Sequence, residues 1–460
     1  MPKYLFVLFL SLYFSFFAKA QTTTFIEHRV RWMENIYTIS RKYNIDPNAI
    51  LVYNRISAND VRRGVTLRIP VGLQDDRIIN QPVVTGIEDP VISPKLEAFI
   101  NCSEYRPSPE ITHRASLILP FDLSSASPNN QYLEFYSGLL LALRDLKDEG
   151  MSIRLSSFDS KSYSYLPALV QSGALREEEL VIGPVFQYDV LEMLNYTYGQ
   201  NIKIISPLFQ ETESAAYTNE NFFQVNTPLY WQQYNLIQHL LNNRGVVWLF
   251  MEEGEGDMEL VNITIDILRK NGIIYREFRH KVAKDRDISG ELSQLLTQGE
   301  NNQVIVASRD EAFVSDILRN LYFVHSRRNC PVTLYGNAWW PNFESVDIDH
   351  YHSMNLHLSV AQYVDYQKPE VKRFLSQYRS MYHAEPSRFA FQGYDVGYYF
   401  LYALYTKGPY FEHCIELGYN SVQPLQSNFR FQKVSPEGGY INTDTRVIRY
   451  LPDYRIEVLH

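Results

Sequence analysis

The densest group of metal-capable side chains is His350-Tyr351-His352, with Asp347, Asp349 and His357 close by. In a strand, His350 and His352 would project to one side, and neutral imidazole is a common zinc ligand. No His-x-x-x-Asp partner and no His-Glu-x-x-His accompanies them, so no metal is assigned. Asn101-Cys102-Ser103-Glu104 superficially matches a cysteine-peptidase opening. Ser103 lacks the following Gly, however, and no suitably placed domain with a downstream base surrounds it, so Cys102 reads as a linker thiol. Gly-x-Ser-x-Gly and a phosphate-binding Gly-Lys loop are both missing. Met251 to Asp257, "MEEGEGD", lacks the ligand spacing of a calcium loop and reads as a solvated acidic loop. Asn195-Tyr196-Thr197 and Asn262-Ile263-Thr264 fit glycosylation sequons by pattern. The expectation is a chain with no catalytic residue, no cofactor and no metal.

The elements around these groups begin with an export signature. Lys3 is followed by an apolar run from Tyr4 to Phe17 and then Ala18-Lys19-Ala20, the charged start, greasy middle and small-residue cleavage site of a secretory signal. The run is shorter than the roughly 20 residues that cross a bilayer, and no later segment is long and apolar enough to do so. Cleavage after Ala20 leaves Gln21 first, with no Cys to carry a lipid. An exported, periplasmic protein with no membrane span in its mature chain is expected. With 45% hydrophobic and 21% charged residues the chain can build large cores. Its three cysteines, Cys102, Cys330 and Cys414, allow at most one internal disulfide. Loss of Lys3 and Lys19 with the signal takes the formal charge from -9 to -11, which argues against nucleic acid as a partner.

Charge is unevenly spread. Between Phe25 and Pro70, Arg29, Arg31, Arg41, Lys42, Arg55, Arg62, Arg63 and Arg68 oppose Glu27, Glu34, Asp46 and Asp60, a balance of +4 that suits an acidic polymer. "HRVRW" alternates like a short strand; Ile36, Ile39, Ser40 and Tyr43 then fall at helical spacing, with Asn35 a plausible cap. Asp46-Pro47 opens a second helix, with Ile50, Leu51 and Tyr53 turned inward, and Gly64 permits a tight turn into the strand "VTLRIP". The order is β-α-α-β. These residues resemble the LysM family: His28-x-Val30, Ile36-x-x-Ile39-Ser40-x-x-Tyr43, Ile50-x-x-Tyr53-Asn54 and Gly64-x-x-Leu67-x-Ile69-Pro70 stand where its pattern puts them. The resemblance implies binding of peptidoglycan, an N-acetylglucosamine-containing glycan, in a shallow groove at Met33, Glu34, Asn35 and Ile36 and at Ile56 and Ser57. The family's usual Gly-Asp-Thr-Leu opening is replaced here by Met33-Glu34-Asn35-Ile36. Residues 25–70 are taken as this domain.

Residues 71–110, with repeated Pro and no sustained period, have linker composition. From 111 to 460 the pattern becomes apolar runs separated by helical stretches: "ASLILPF", "SIRLSSF", "LVIGPV" and "IKIISPL", then, after "FFQVNTP", a second series with "GVVWLFM", "IIYREF", "QVIVAS" and "VTLYGN". Such alternation predicts parallel sheets covered by helices on both faces. The order of pieces resembles the type I periplasmic-binding-protein fold, carried by Leu119-Pro120-Phe121, Gly138 and Ala142, Ile182-Gly183-Pro184, Ile205-Ser206-Pro207, Phe223-Gln224-Val225 and Pro386-Ser387-x-Phe389-Ala390-x-x-Gly393-Tyr394-Asp395. The fold class expected is therefore α/β: a small βααβ LysM domain plus two Rossmann-like lobes, with a first crossover near residues 222–228.

Amino-acid-binding members carry small hydroxylated residues in the loops after Ile-Gly-Pro and Ile-Ser-Pro. Here those loops hold Phe186, Gln187 and Tyr188, and Phe209 and Gln210. The aromatic rings obstruct a buried carboxylate, which needs paired donors. With Tyr394 near the crossover, these residues are the candidate ligand contacts, and helix N-termini facing the cleft favour anions. The resulting expectation is a non-catalytic wall-tethered protein whose clamshell takes a small ligand or a cell-wall synthesis protein, as a scaffold, sensor or regulator resembling the activators of penicillin-binding proteins. A solute-binding receptor of an amino-acid-type uptake system is the alternative, and a peptidoglycan hydrolase the alternative from another class.

Overall fold

The computed structural model describes residues 24–30, 39, 43, 50, 54, 64–71, 102, 105–123, 125, 128–160, 165–208, 213–217, 219–254, 256–282, 287–418 and 422–459. The chain divides into two units, Met1–Gly86 and Ile87–His460.

In the first unit, β1 (Thr24–Arg29) pairs antiparallel with β2 (Thr66–Val71), setting His28 opposite Leu67. Leu67 and Ile69 are buried while Thr66 and Arg68 are exposed, the alternation of a half-buried strand. Val30, Ile39 and Ile50 complete a miniature core, with Tyr43 and Val65 packed against it. The Tyr43 hydroxyl is 2.9 Å from His28 Nδ1. Asn54 donates to the carbonyls of Ile50 and Arg68 at 2.7 Å each and accepts from the Arg68 N–H at 2.6 Å, so its amide completes the hydrogen bonding along β2. The first strand begins upstream of "HRVRW", at Thr24, and ends inside it at Arg29. Met33, Glu34, Asn35, Ile36, Ile56 and Ser57 lie outside the described residues.

The second unit begins with a fastened strap. Cys102 is disulfide-bonded to Cys414, 312 residues away, and Lys407 Nζ donates to the Cys102 carbonyl at 3.3 Å. Cys102, expected to be a linker thiol, is therefore no free thiol; a bond spanning 312 residues leaves no local pattern. Cys330 is the free cysteine and is buried.

Lobe I follows: β3 (Thr112–Leu119), α1 (Asn130–Asp148), β4 (Ser152–Asp159), α2 (Tyr165–Gln171), β5 (Leu180–Ile182), α3 (Gln187–Tyr196), β6 (Lys203–Ser206), α4 (Glu213–Ala216) and β7 (Phe222–Gln224). The chain then enters lobe II: α5 (Leu229–Leu241), β8 (Val246–Glu252), α6 (Met258–Lys270), β9 (Tyr275–His280), α7 (Ser289–Leu295), β10 (Asn302–Val306), α8 (Glu311–Arg327), β11 (Val332–Tyr335), α9 (Ile348–Ser353) and β12 (His357–Val360). It returns to lobe I through α10 (Pro369–Tyr382), α11 (Arg388–Lys407), α12 (Phe411–Glu416), β13 (Phe431–Lys433) and β14 (Tyr440–Asn442), and ends in lobe II with β15 (Arg446–Tyr450) and β16 (Ile456–Leu459).

Each lobe is a seven-stranded sheet, ordered β13-β14-β7-β6-β5-β3-β4 in lobe I and β16-β15-β12-β11-β10-β8-β9 in lobe II. Six consecutive strands run parallel in lobe I, β4-β3-β5-β6-β7-β14, and five in lobe II, β9-β8-β10-β11-β12. The inner strands are buried on both faces: Leu117 and Leu119 join one core and Ile118 the other, and Trp248 and Phe250 face away from Val247 and Leu249. That is why these strands read as continuous apolar runs. Helices α1 and α11 meet so closely that Gly138 lies against the Ala390 carbonyl and Gly393 against that of Phe135, leaving no room for a Cβ at either position.

At the base of lobe I, the Lys203 ammonium is buried and gives its three N–H groups to Asn201 Oδ1 at 2.7 Å, Asn221 Oδ1 at 2.7 Å and Glu412 Oε1 at 2.6 Å. Burial pushes its pKa down, against the opposing pull of Glu412. This pair and the disulfide both hold α12. Among the described residues no helix is long and apolar enough to cross a membrane. Replacing both Cys102 and Cys414 by Ser is expected to cost about 2–4 kcal/mol of stability by freeing the strap. Calorimetry of the two proteins checks this; equal melting temperatures would show that the strap constrains nothing.

Candidate functional site

Strand order places the site. In each lobe the chain reverses direction across the sheet between the first and third parallel strands, β3 and β5 in lobe I and β8 and β10 in lobe II. Ligands of open parallel sheets bind in the crevice beyond the carboxyl ends of strands at such a switch point. In lobe I the loop after β3 is shaped by Asp159, at the end of β4, which accepts from the N–H groups of Asp122 at 3.1 Å and Leu123 at 3.0 Å. Across the switch point, β5 leads through Gly183, Pro184 and Val185 to Phe186, the N-cap of α3. A side chain at Gly183, where φ is 97°, would strike the Ile118 carbonyl, so the close approach of β5 to β3 requires glycine.

The lobe II rim is more polar. Ser308 Oγ donates to Glu252 Oε1 at 2.6 Å. Arg309 forks onto Asp257 at 2.5 and 2.7 Å and reaches Glu259 at 2.8 Å. The hydrogen bonds to Asp257 hold the guanidinium above its ordinary pKa. Asp257 also caps α6 through the Leu260 N–H, so part of "MEEGEGD" is a capping and ion-pairing element rather than a solvated loop. Beyond β11, Trp340 is buried with its indole N–H on the Ser308 carbonyl at 3.0 Å, whereas its neighbour Trp339 is 61% exposed.

The chain passes between lobes at residues 225–228, 361–368 and 443–445, and one network joins these crossings. The buried Asp395 carboxylate, on α11, accepts three consecutive backbone N–H groups, from Leu425 at 2.6 Å, Gln426 at 3.0 Å and Ser427 at 2.9 Å. Burial pushes this carboxyl up in pKa while the donors pull it down. The 425–427 segment in turn meets the second crossing through Tyr363 N–H to the Gln426 carbonyl at 2.8 Å. Arg446, which opens β15, donates to the carbonyls of Tyr363 at 2.5 Å and Ser427 at 3.0 Å and to Asn428 Oδ1 at 3.0 Å. Asn442 donates to the carbonyls of Val225 at 3.1 Å and Asn428 at 2.8 Å, adding the first crossing. Gln392, one turn before Asp395, donates to the Pro207 carbonyl at 2.6 Å and to Asn226 Oδ1 at 3.2 Å.

Of the residues expected in the cleft, Phe186, Gln187 and Tyr188 stand half-buried at the end of β5 and the start of α3, while Phe209 and Gln210 lie outside the described residues. Tyr394 is a correction. Its side chain is buried between α1, α10 and α11, with its hydroxyl donating to Asp145 at 2.8 Å near the far end of α1 and its ring edge-on to Phe374. A helix turns about 100° per residue, which sends Tyr394 into the helix layer and Asp395 to the hinge. The histidine group is corrected as well: Ile348–Ser353 is a helix capped by Asp347, so His350 and His352 do not share a side as they would in a strand. His352 Nδ1 lies 2.7 Å from the Leu451 carbonyl and His357 Nδ1 2.7 Å from that of Asn355. No group of three His, Cys, Asp or Glu residues placed to hold a metal occurs among the described residues. Sequence reasoning overlooked Asp395, Arg446, Arg309 and Trp339. The first had a usable signal, a lone carboxylate inside the apolar run "FQGYDVGYYFLYALY".

Two parallel-dominated Rossmann-like lobes of identical strand order, joined at a common hinge, define the type I periplasmic-binding-protein fold. Among solved structures, the chain is similar to a branched-chain amino acid ABC transporter protein from Rhodospirillum rubrum, with a TM-score of 0.56 at 14% identity over 76% of this chain and 100% of that one. An ABC-type branched-chain amino acid transporter protein from Rhodopseudomonas palustris matches with a TM-score of 0.50 at 13% identity over 75% and 95%. Full-length LpoA from Haemophilus influenzae matches at 0.47 and 10% identity over 76% and 59%. No protein-family model matches the chain, and no curated protein matches it.

Asp395→Asn places an amide where three N–H groups converge beside Arg446, and is expected to cost at least about 3 kcal/mol. Tyr394→Phe, which loses one hydrogen bond, should cost only about 1 kcal/mol. Urea denaturation of both variants checks the assignment; an Asp395→Asn protein no less stable than Tyr394→Phe would contradict it.

Proposed function

We propose that this is an exported, non-catalytic binding protein, tethered to peptidoglycan by its N-terminal unit, whose clamshell takes a small ligand or a cell-wall protein partner as a scaffold, sensor or regulator of wall synthesis. The observation that carries the reading is the pair of sheets with the same strand order, each with its own switch point, joined through one shared junction at the crossings, an architecture that suits a protein closing on what it binds. The N-terminal assignment is supported by the antiparallel β1 and β2 and by the burial of Val30, Ile39, Ile50, Leu67 and Ile69, all positions of the LysM pattern. The balance of +4 on residues 25–70 suits a glycan bearing peptide carboxylates. Met33, Glu34, Asn35, Ile36, Ile56 and Ser57 would contact that glycan.

In the cleft, Phe186, Gln187 and Tyr188, with Phe209 and Gln210, would form the lobe I wall. Arg309, on the lobe II rim, is already committed to Asp257 and Glu259, so this cation is spent on the protein itself rather than held for a ligand carboxylate. That counts against Arg309 as the anchor for the free amino acid that an uptake receptor would carry.

Sedimentation with purified peptidoglycan is expected to fall on deletion of residues 21–70; unchanged sedimentation would end the tether assignment. The large domain alone should melt at higher temperature with muropeptides and not with leucine or isoleucine. Stabilisation by the amino acids alone would instead make it a solute receptor, and release of soluble muropeptides by the pure protein would make it a hydrolase.

A further inference from the structure

The carboxyl ends of β8 and β10 flank the lobe II switch point, the place where parallel sheets bind ligands. Each strand leads there to a polar residue, Glu252 at the end of β8 and Ser308 just beyond β10. Ser308 is fully buried; its Oγ donates to Glu252 Oε1 at 2.6 Å and accepts from the Asp310 N–H at 3.0 Å. The fixed hydroxyl thus holds one oxygen of the half-buried Glu252 carboxylate. Gly256 brings the following loop so close to the Glu252 side chain that no Cβ fits there.

A carboxylate in such a setting needs a partner of opposite charge or a full set of donors. Among the described residues no Lys, Arg or His forms an ion pair with Glu252. Two basic neighbours are turned elsewhere. Arg309 is bound to Asp257 and Glu259, and His280, the register partner of Glu252 on β9, has its Nε2 2.8 Å from Asp316. Glu252 therefore keeps an unmatched negative charge at the point where this fold presents its ligand.

Trp339 stands on the same rim, beyond β11. Its N–H donates to Asn337 Oδ1 at 3.0 Å, its carbonyl accepts from Asn342 Nδ2 at 3.1 Å, and the buried Trp340 anchors the turn. The indole is 61% exposed all the same, a ring held outside the core on a fixed turn. Only β10 separates β8 from β11, so the ends of those two strands lie about 10 Å apart, two interstrand spacings.

We propose that the lobe II wall recognises an extended ligand whose primary ammonium pairs with Glu252 while a sugar ring of the same ligand covers the Trp339 indole. An ammonium on a carboxylate makes a charge-assisted hydrogen bond, and the indole supplies a flat apolar surface for the ring. A free amino acid also carries an ammonium, but it is too short to reach from Glu252 to Trp339 across about 10 Å. The inference rests on the proposed reading of the cleft as a binding site and narrows its ligand to a muropeptide whose stem retains a free side-chain amine.

The test is calorimetric titration of the full chain with one muropeptide in two forms, the side-chain amine of its stem free or N-acetylated. Wild type is expected to bind the free amine about 10- to 100-fold more tightly than the acetylated form, the worth of one hydrogen bond between charged groups. Glu252→Gln, whose amide oxygen still accepts from Ser308, should lose that preference and bind both forms alike. Trp339→Ala should weaken both forms by a similar factor and keep the preference. Any binding by the N-terminal unit is common to wild type and variants, so a preference lost in Glu252→Gln belongs to the cleft. The acetylation comparison uses wild-type protein alone and holds even where a variant fails to fold. Equal affinity of wild type for the two forms, or a preference that survives in Glu252→Gln, overturns the proposal while leaving a muropeptide-binding cleft in place. Binding of neither form overturns it together with the muropeptide reading and leaves the cleft to a protein partner.

Discussion

An ionisable group as deeply buried as the Asp395 carboxylate needs its partners supplied by the protein, and three consecutive amides at 425–427 supply them. This requirement ties α11, a lobe I helix, to a segment that itself meets the second crossing at Tyr363. Arg446 holds the same segment from the lobe II side. The lobes therefore share one polar junction while keeping separate apolar cores. Each crossing is backbone without a sheet of its own, and satisfying its polar groups in a buried setting is what the junction accomplishes.

The opposite end of lobe I is built differently. There the Lys203–Glu412 pair and the Cys102–Cys414 disulfide converge on α12, so the strand ends away from the cleft are locked by a buried ion pair and a covalent bond. At the cleft-side ends the loops are shaped by caps and short hydrogen bonds, as at Asp159, Asp257 and Asp310. A fixed base and an adaptable rim suit a body that must keep its lobes intact while presenting surface to a partner. Phe223, stacked on Tyr440 at 4.7 Å and edge-on to Phe400 and Phe431, fills the space between β7, β14 and α11 and makes the returning β14 part of the lobe I core.

Much of this was legible in the sequence, for a physical reason. Strands such as β3, β5, β8 and β10 are buried on both faces, so their composition announces them without periodicity. The failures have causes of their own. Tyr394 and Asp395 are adjacent in a motif yet point to different neighbours. The partners of Asp395 are backbone amides some 30 residues away, which carry no side-chain signature. The histidines near 350 sit in a helix that Asp347 caps, accepting the Asp349 N–H at 2.9 Å, a cap signal present in the sequence. Cys102 resembled a linker thiol because its partner is remote in sequence.

Amide hydrogen exchange at Leu425, Gln426 and Ser427 tests the hinge most directly. These residues belong to no helix or strand, and such amides ordinarily exchange fast. If the buried carboxylate holds them, their protection in the native protein matches that of the core strands β5 and β10. Exchange at the rate of an exposed loop would mean that Asp395 does not clamp the crossings, and the account of two lobes turning on a shared junction would be wrong.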